Sequence, residues 1–326
     1  GLWRLLAVGM VLAVAGGGAV LGGLLWFGGS RGAAGPGGSS LAAIQARGKL
    51  RVAADPNAPP FLMPDAAGGY SGYEWAVMSA LQAVAGVPVE VVPAPYAELP
   101  KHLRKGDADL AIGQLTWDPT WKDLTPSVSY LQYSLCLVVA KESQVSELSQ
   151  LTGQKIGIYE DPSTKRVIQA TLGEAWQPVI FKDYGYFEQL TTGQIAAVVY
   201  DCPLVLHELR RFPGLKVVDD SMSVASYSVL ARSDSTDLMA KVNAVLVDLG
   251  NQGLLGKMED RWLGSRPRGV RGRVVVVLPG ETLESIAARE LGSAQKATEL
   301  YERNRDVLGS DPTAVYAGMR LRLGPR

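Results

Sequence analysis

The rhythm of apolar and polar positions changes repeatedly along this chain. From Leu5 to Phe27 there are 23 residues without a charge, enough at about 1.5 Å per residue to cross a hydrocarbon core of about 30 Å. The pattern therefore predicts a transmembrane helix over residues 1–27. Trp3 and Trp26 stand at its interfaces, and Arg4 marks the cytoplasmic end. A cleaved leader ending near Ala13-Val14-Ala15 is disfavoured, because the apolar stretch is too long for a leader core. Gly18 and Gly22 form a GxxxG pair beside Ala15, Ala19 and Gly23. Such a face suits helix docking, although a Gly-rich helix facing lipid alone stays open. Residues 28–40 are a flexible Gly-rich linker.

Beyond it, short apolar runs alternate with amphipathic ones. Strands are expected at Lys49–Ala54, Val87–Val92 and Ala108–Ile112, with helices at Glu74–Ala85 and Ala97–Lys105. The pattern resumes with strands at Lys155–Ile158, Ile195–Tyr200 and Lys216–Val218, and helices around Thr164–Leu172 and Leu204–Arg211. Asp237–Met258 reads as one long helix returning to the first unit. This alternation predicts parallel α/β architecture in two lobes, one spanning about 41–133 and 231–265, the other about 134–230. Two passages of chain between them would leave a cleft at the strand ends. After a basic linker over 266–272, residues 273–326 predict a β-α-α-β module. A strand ends at Pro279-Gly280, Thr282 caps a helix with Ser285 at its third position, Lys296–Arg303 forms a second helix, and Met319–Leu323 closes as a strand.

Composition narrows the function classes. Lys plus Arg and Asp plus Glu both number 32, so the net charge is zero. That zero divides into +2 over residues 1–46, −6 over 47–265 and +4 over 266–326. With 47% apolar and 20% charged residues the chain is not a disordered one. It has no extended basic block, so nucleic acid is not an expected partner. Two cysteines exclude a disulfide scaffold, and with two histidines no zinc constellation assembles by spacing. Cys136 and Cys202 are expected as buried free thiols, a disulfide remaining open to them in an oxidising compartment. His102 and His207 read as surface or helix-packing residues. No Ser-His-Asp, Cys-His or paired-carboxylate catalytic arrangement emerges, so an enzyme is not expected and no cofactor is implied.

Gly48–Ala53, Pro59-Pro60-Phe61, Gly72-Tyr73-Glu74, Leu103–Leu110 and Gly113–Thr116 follow one another in an order that resembles the family 3 extracellular solute-binding proteins, the periplasmic receptors of polar amino-acid importers. The resemblance covers about Gly48 to Gly264 and implies a type II two-lobed periplasmic-binding-protein clamp. Carried over residue by residue, it implies ligand contacts from Asp55, Tyr96, Thr116, Ser163, Thr164 and Asp201. Two departures stand out. The family's carboxylate-gripping Arg should fall at or beside Trp121, where no arginine stands, so the cleft is expected to lack a guanidinium, and the loop aromatic before Pro59 is replaced by Ala58. Asp55 and Asp201 with Tyr96, Trp117 and Trp121 would suit a small cationic solute rather than a standard α-amino acid.

Residues 279–283, 299–305 and 316–321 resemble the three signature segments of the LysM domain, which binds N-acetylglucosamine-containing glycans such as peptidoglycan. That resemblance implies a glycan groove with Gly280, Glu281, Thr282 and Leu283 facing Tyr316, Ala317 and Gly318. The expected protein is a single-pass, inner-membrane-anchored solute receptor in the bacterial periplasm that also holds peptidoglycan and serves an importer. The other expectation is a ligand-free scaffold, whose transmembrane helix docks into a larger photosynthetic or respiratory membrane complex.

Overall fold

The computed structural model describes residues 39–118, 120–182, 185–223, 225–264 and 274–324. The expected transmembrane helix with Gly18 and Gly22, nearly all of the Gly-rich linker and the basic linker lie outside them. Among the described residues no helix is long and apolar enough to cross a membrane.

Helix α1 (Leu41–Arg47) opens with Ser40 as its N-cap and leads to strand β1 (Leu50–Ala54). A small hairpin, β2 (Met63–Pro64) and β3 (Tyr70–Ser71), precedes α2 (Tyr73–Ala85). Then come β4 (Val89–Pro93), α3 (Leu99–Lys105), β5 (Leu110–Ala111) and the ten-residue β6 (Leu124–Tyr133). The chain crosses into a second sheet through β7 (Leu135–Ala140), β8 (Lys155–Tyr159), α4 (Pro162–Leu172), β9 (Gln177–Phe181), α5 (Tyr186–Thr191), β10 (Ala197–Asp201), α6 (Cys202–Glu208) and β11 (Leu215–Asp219). It returns on β12 (Ala225–Arg232), followed by α7 (Thr236–Asn251) and α8 (Leu254–Trp262).

The first sheet has the order β4-β1-β5-β12-β6 and the second β11-β7-β10-β8-β9. In each, a parallel part is flanked on one side by two antiparallel strands, and these strands, β6 and β12 in the first sheet and β7 and β11 in the second, carry the chain between lobes. β12 re-enters the first sheet at Ala225, six residues before the expected lobe boundary. β6 and β12 escape the alternation rule because both faces are covered. Ser127, Ser129, Ser226 and Ser228 are buried along with their apolar neighbours, and the Ser127 hydroxyl accepts from the Val229 amide (2.9 Å), supporting an irregular stretch of pairing. The expected single helix over 237–258 is two, because Gly253 takes a left-handed conformation (φ +68°) between α7 and α8.

Asp109 anchors the start of the described chain. Its buried carboxylate accepts from Ser39 Oγ (2.6 Å), the Arg51 amide and guanidinium (2.9 Å each) and Arg47. Burial pushes this carboxyl upward, but the Arg51 and Ser39 bonds outweigh it and hold it below its ordinary value.

The C-terminal module runs β13 (Val274–Val276), α9 (Leu283–Leu291), α10 (Ala297–Arg303), α11 (Arg305–Leu308) and β14 (Arg320–Arg322), with β13 and β14 antiparallel. Thr282 and Ser285 form the capping box at the start of α9. Buried Asn304 donates to the Leu300 and Arg322 carbonyls and accepts from the Arg322 amide, tying β14 to α10. The module lies against β6 and β12 through α11. Gln132 and Arg320 exchange two hydrogen bonds (2.8 and 2.9 Å), and Ser226 Oγ donates to the Asp306 carbonyl (2.7 Å). Gly309 (φ +68°) packs on the β6 backbone so closely that a Cβ there would lie 2.5 Å from the Ser127 carbonyl.

Candidate functional site

The two sheets present their loops to a common cleft. Asp55 directly follows β1, and its carboxylate accepts from the Asn57 amide (2.9 Å) and the Tyr96 amide (3.3 Å). It thereby ties two loops of the first lobe together. From the second lobe, Asp161 caps α4, accepting from the Ser163 and Thr164 amides and from both hydroxyls. Asp161 followed by Pro162 is a helix-start signature that explains this local turn. Tyr96 and Tyr159 meet edge to face across the cleft, 5.7 Å between ring centres, and Tyr159 also contacts Tyr200.

A cavity of about 420 Å³ lies between the lobes, lined by Asp55, Tyr96, Thr116, Trp117, Trp121 and Ser163 among the expected residues. An adjoining cavity of about 190 Å³ adds Thr164 and Asp201 and shares Asp55, Tyr96 and Thr116 with the first. All eight expected ligand residues therefore line one continuous cleft. Their side chains differ in availability. Thr116 Oγ1 bonds the Tyr133 hydroxyl (3.1 Å), while Thr164 is buried and engaged by Asp161.

Asp201 ends β10. Its buried carboxylate accepts from the Tyr227 hydroxyl of the first lobe and is also bonded by Tyr133. Burial pushes its pKa up to about 7, with the Asp161 charge adding to the rise and the two phenols opposing it. Glu74 belongs to the Gly72-Tyr73-Glu74 signature. It is fully buried on α2 and accepts from the Gln114 amide (2.7 Å), the Gln114 side chain (2.8 Å) and the Tyr130 hydroxyl. Gln114 lines the cleft with φ +54°, so Glu74 holds the loop over residues 113–117 in an unfavoured conformation. Burial raises Glu74 to about 7 against these bonds.

Two expectations are corrected here. The cleft does not lack a guanidinium: Arg166, one α4 turn after Ser163, lines it, as does Lys182. Arg166 was invisible to a residue-by-residue comparison because it comes from another lobe than the family's arginine. Cys136 and Cys202 are not free thiols but a disulfide, with their Cα atoms 4.9 Å apart. Adjacent strands bring them together, since Tyr200 pairs with Cys136 across β10 and β7.

The expected glycan residues divide. Val277 joins their two segments, accepting from the Gly318 amide and donating to the Met319 carbonyl (2.8 Å each). Leu283 is buried, Thr282 is spent on helix capping, and Glu281 is bonded by Arg289 and the Leu278 amide. Tyr316 and Ala317 turn toward the first lobe: the Tyr316 hydroxyl donates to the Ser129 carbonyl (3.3 Å), and the Ala317 amide donates to Asn251 (3.1 Å). With Gly318 they border a cavity of about 250 Å³ against α8.

Residues 50–265 match the bacterial extracellular solute-binding proteins, family 3. The L-cystine-binding protein TcyJ of Escherichia coli strain K12 is 22% identical over 226 residues, covering 68% of this chain and 85% of that protein. The ABC transporter arginine-binding protein 1 of the same strain is 26% identical over 165 residues, 49% of this chain and 67% of that protein. An ancestral arginine-binding protein bound to arginine superposes with a TM-score of 0.59 at 26% identity, covering 66% of this chain and 98% of its own. The chain belongs to the family 3 solute-binding proteins.

Proposed function

We propose that this member of the family is a receptor of the amino-acid-binding type whose clamp closes over a small solute bearing a positive charge. One observation carries the reading: Asp55 and Asp201 come from opposite lobes to a cleft walled by Tyr96, Tyr159 and Tyr200. Paired carboxylates and ring faces attract a desolvated ammonium or guanidinium by charge and by cation–π contact. Relatives named for arginine and for cystine support the amino-acid class, and one named for an ABC transporter supports delivery to an importer. The function is binding and release, without turnover.

Titration calorimetry against L-arginine, L-lysine, agmatine and L-glutamate tests it. The cationic solutes bind and Asp201→Ala abolishes the heat. Binding of L-glutamate alone would overturn the reading.

We further propose a periplasmic location, with the apolar segment over residues 1–27 as the inner-membrane anchor. The Cys136–Cys202 disulfide supports an oxidising compartment. The C-terminal module holds N-acetylglucosamine glycan through the turn at Gly280–Leu283, beside which Leu278 is half exposed. Retention on purified peptidoglycan, lost on deleting residues 274–326, is the corresponding measurement.

A further inference from the structure

We propose that the C-terminal module completes the ligand cleft: Arg305, with Arg166 of α4, forms a carboxylate-binding end, so the ligand is an elongated dipolar solute. This rests on the reading that the opposite end, at Asp55 and Asp201, takes a positive charge. Beyond Trp117 the cleft continues into a third cavity of about 560 Å³, which shares Thr116, Trp117, Ser163 and Arg166 with the central one. Its far wall is the module, through Glu302, Arg305, Asp306 and Arg322.

The Arg305 guanidinium lies 5.6 Å from the centre of the Trp117 ring, a cation–π contact that places it on the cleft's own wall. The charges around this cavity are unequally spent. Arg322 is paired with Asp306, whereas Glu302 approaches Arg305 at a loose 3.7 Å. Arg166 has no ion-pair partner among the described residues. Arg166 and Arg305 line the same cavity as Trp117, and a guanidinium is a planar fork that matches a carboxylate.

Arg305 is also held in place. Its neighbour Asp306 accepts from Ser226 on β12, and Gly309 lies against β6, so the module cannot swing without breaking both contacts. Asp201 lines the cavity of about 190 Å³, whereas Arg305 lines the third one. A molecule reaching from one to the other must span the central cavity, farther than the ammonium and carboxylate of a single α-carbon. A diamino dicarboxylate or a short peptide with a cationic end has that form.

Calorimetry on the full chain with cadaverine, L-lysine and the dipeptide lysyl-glutamate tests this. Lysyl-glutamate binds most tightly, and Arg305→Ala and Arg166→Ala each weaken it about tenfold, the scale of losing a charge-assisted hydrogen bond, whereas neither weakens cadaverine, which has no carboxylate to lose. Unchanged melting temperatures establish that both variants fold. Lysyl-glutamate binding that ignores both arginines, or cadaverine and lysine binding without it, overturns the inference and leaves the receptor intact. Binding by none of the three overturns the receptor for cationic solutes, and the inference with it.

Discussion

The Tyr227 hydroxyl, on a strand of the first lobe, donates to the Asp201 carboxylate, on a strand of the second. A charge-bearing candidate for ligand contact is thus fastened to the opposite lobe beside the crossovers that join the two sheets. The bond favours the ionised carboxylate while burial opposes it, and burial prevails. Asp201 is therefore expected near half-protonation at neutral pH, and a cation bound beside it would draw the proton off.

Affinity for a cationic solute should consequently rise between about pH 6 and pH 8, with proton release on binding in that window. Calorimetry in buffers of different ionisation heat measures the release. Tyr227→Phe removes a bond that lowers the Asp201 pKa, so its affinity profile moves to higher pH. Superimposable profiles would show that this phenol does not tune the acid.

Stability should run the opposite way. Asp201 rises from 3.8, and Glu74 from 4.5, each to about 7. The folded chain then retains protons the unfolded chain has lost, so the contribution of both groups is fully present below about pH 4 and gone above about pH 7. Melting temperature is expected to fall from pH 5.5 to pH 8 through these groups, and Asp201→Asn with Glu74→Gln to flatten that slope. An equally steep slope in the double variant would place the titration elsewhere.

Glu74→Ala leaves the Gln114 amide and side-chain donors without their acceptor and should cost about 1–3 kcal/mol in denaturant unfolding. It should also weaken solute binding, because the loop over 113–117 loses its anchor. Full affinity in a destabilised variant would limit Glu74 to the core.

Replacing Cys136 and Cys202 together by Ala should lower stability by about 2–5 kcal/mol. Reductant should move the native protein's melting curve toward that of the variant. A reductant-insensitive curve at full exposure to thiol reagent would mean that the sulfurs are unpaired.

Gly309→Ala sets a Cβ against the Ser127 backbone at a left-handed position, a strain of about 1–3 kcal/mol. The module should loosen from β6, seen as faster amide exchange along Leu124–Tyr133 and a change in Trp117 fluorescence. Exchange limited to the module itself would show that it docks independently of that glycine.

Much of the frame was legible along the chain. β1, α2, α4 and β10 fall close to their expected positions, because each is an apolar or amphipathic run closed by a turn or a cap. Asp55, Tyr96 and Ser163 were expected only through the family resemblance, and the fold sets them at strand and helix ends beside the cleft. β6 and β12 were not readable: strands covered on both faces have no alternation, and their buried serines resemble surface positions.

What the linear order determined was local: periodicity, caps such as Thr282 with Ser285, and the succession of signatures that identifies a two-lobed clamp. Distances across the fold were decided by packing. Pairing of β7 with β10 joined the cysteines, α4 swung Arg166 into the cleft, and the seat of the C-terminal module against β6 brought Arg305 over Trp117. Each of these contacts links residues dozens to nearly two hundred positions apart. No period or spacing encodes such meetings, because they follow from how buried surfaces fit together once the sheets have formed.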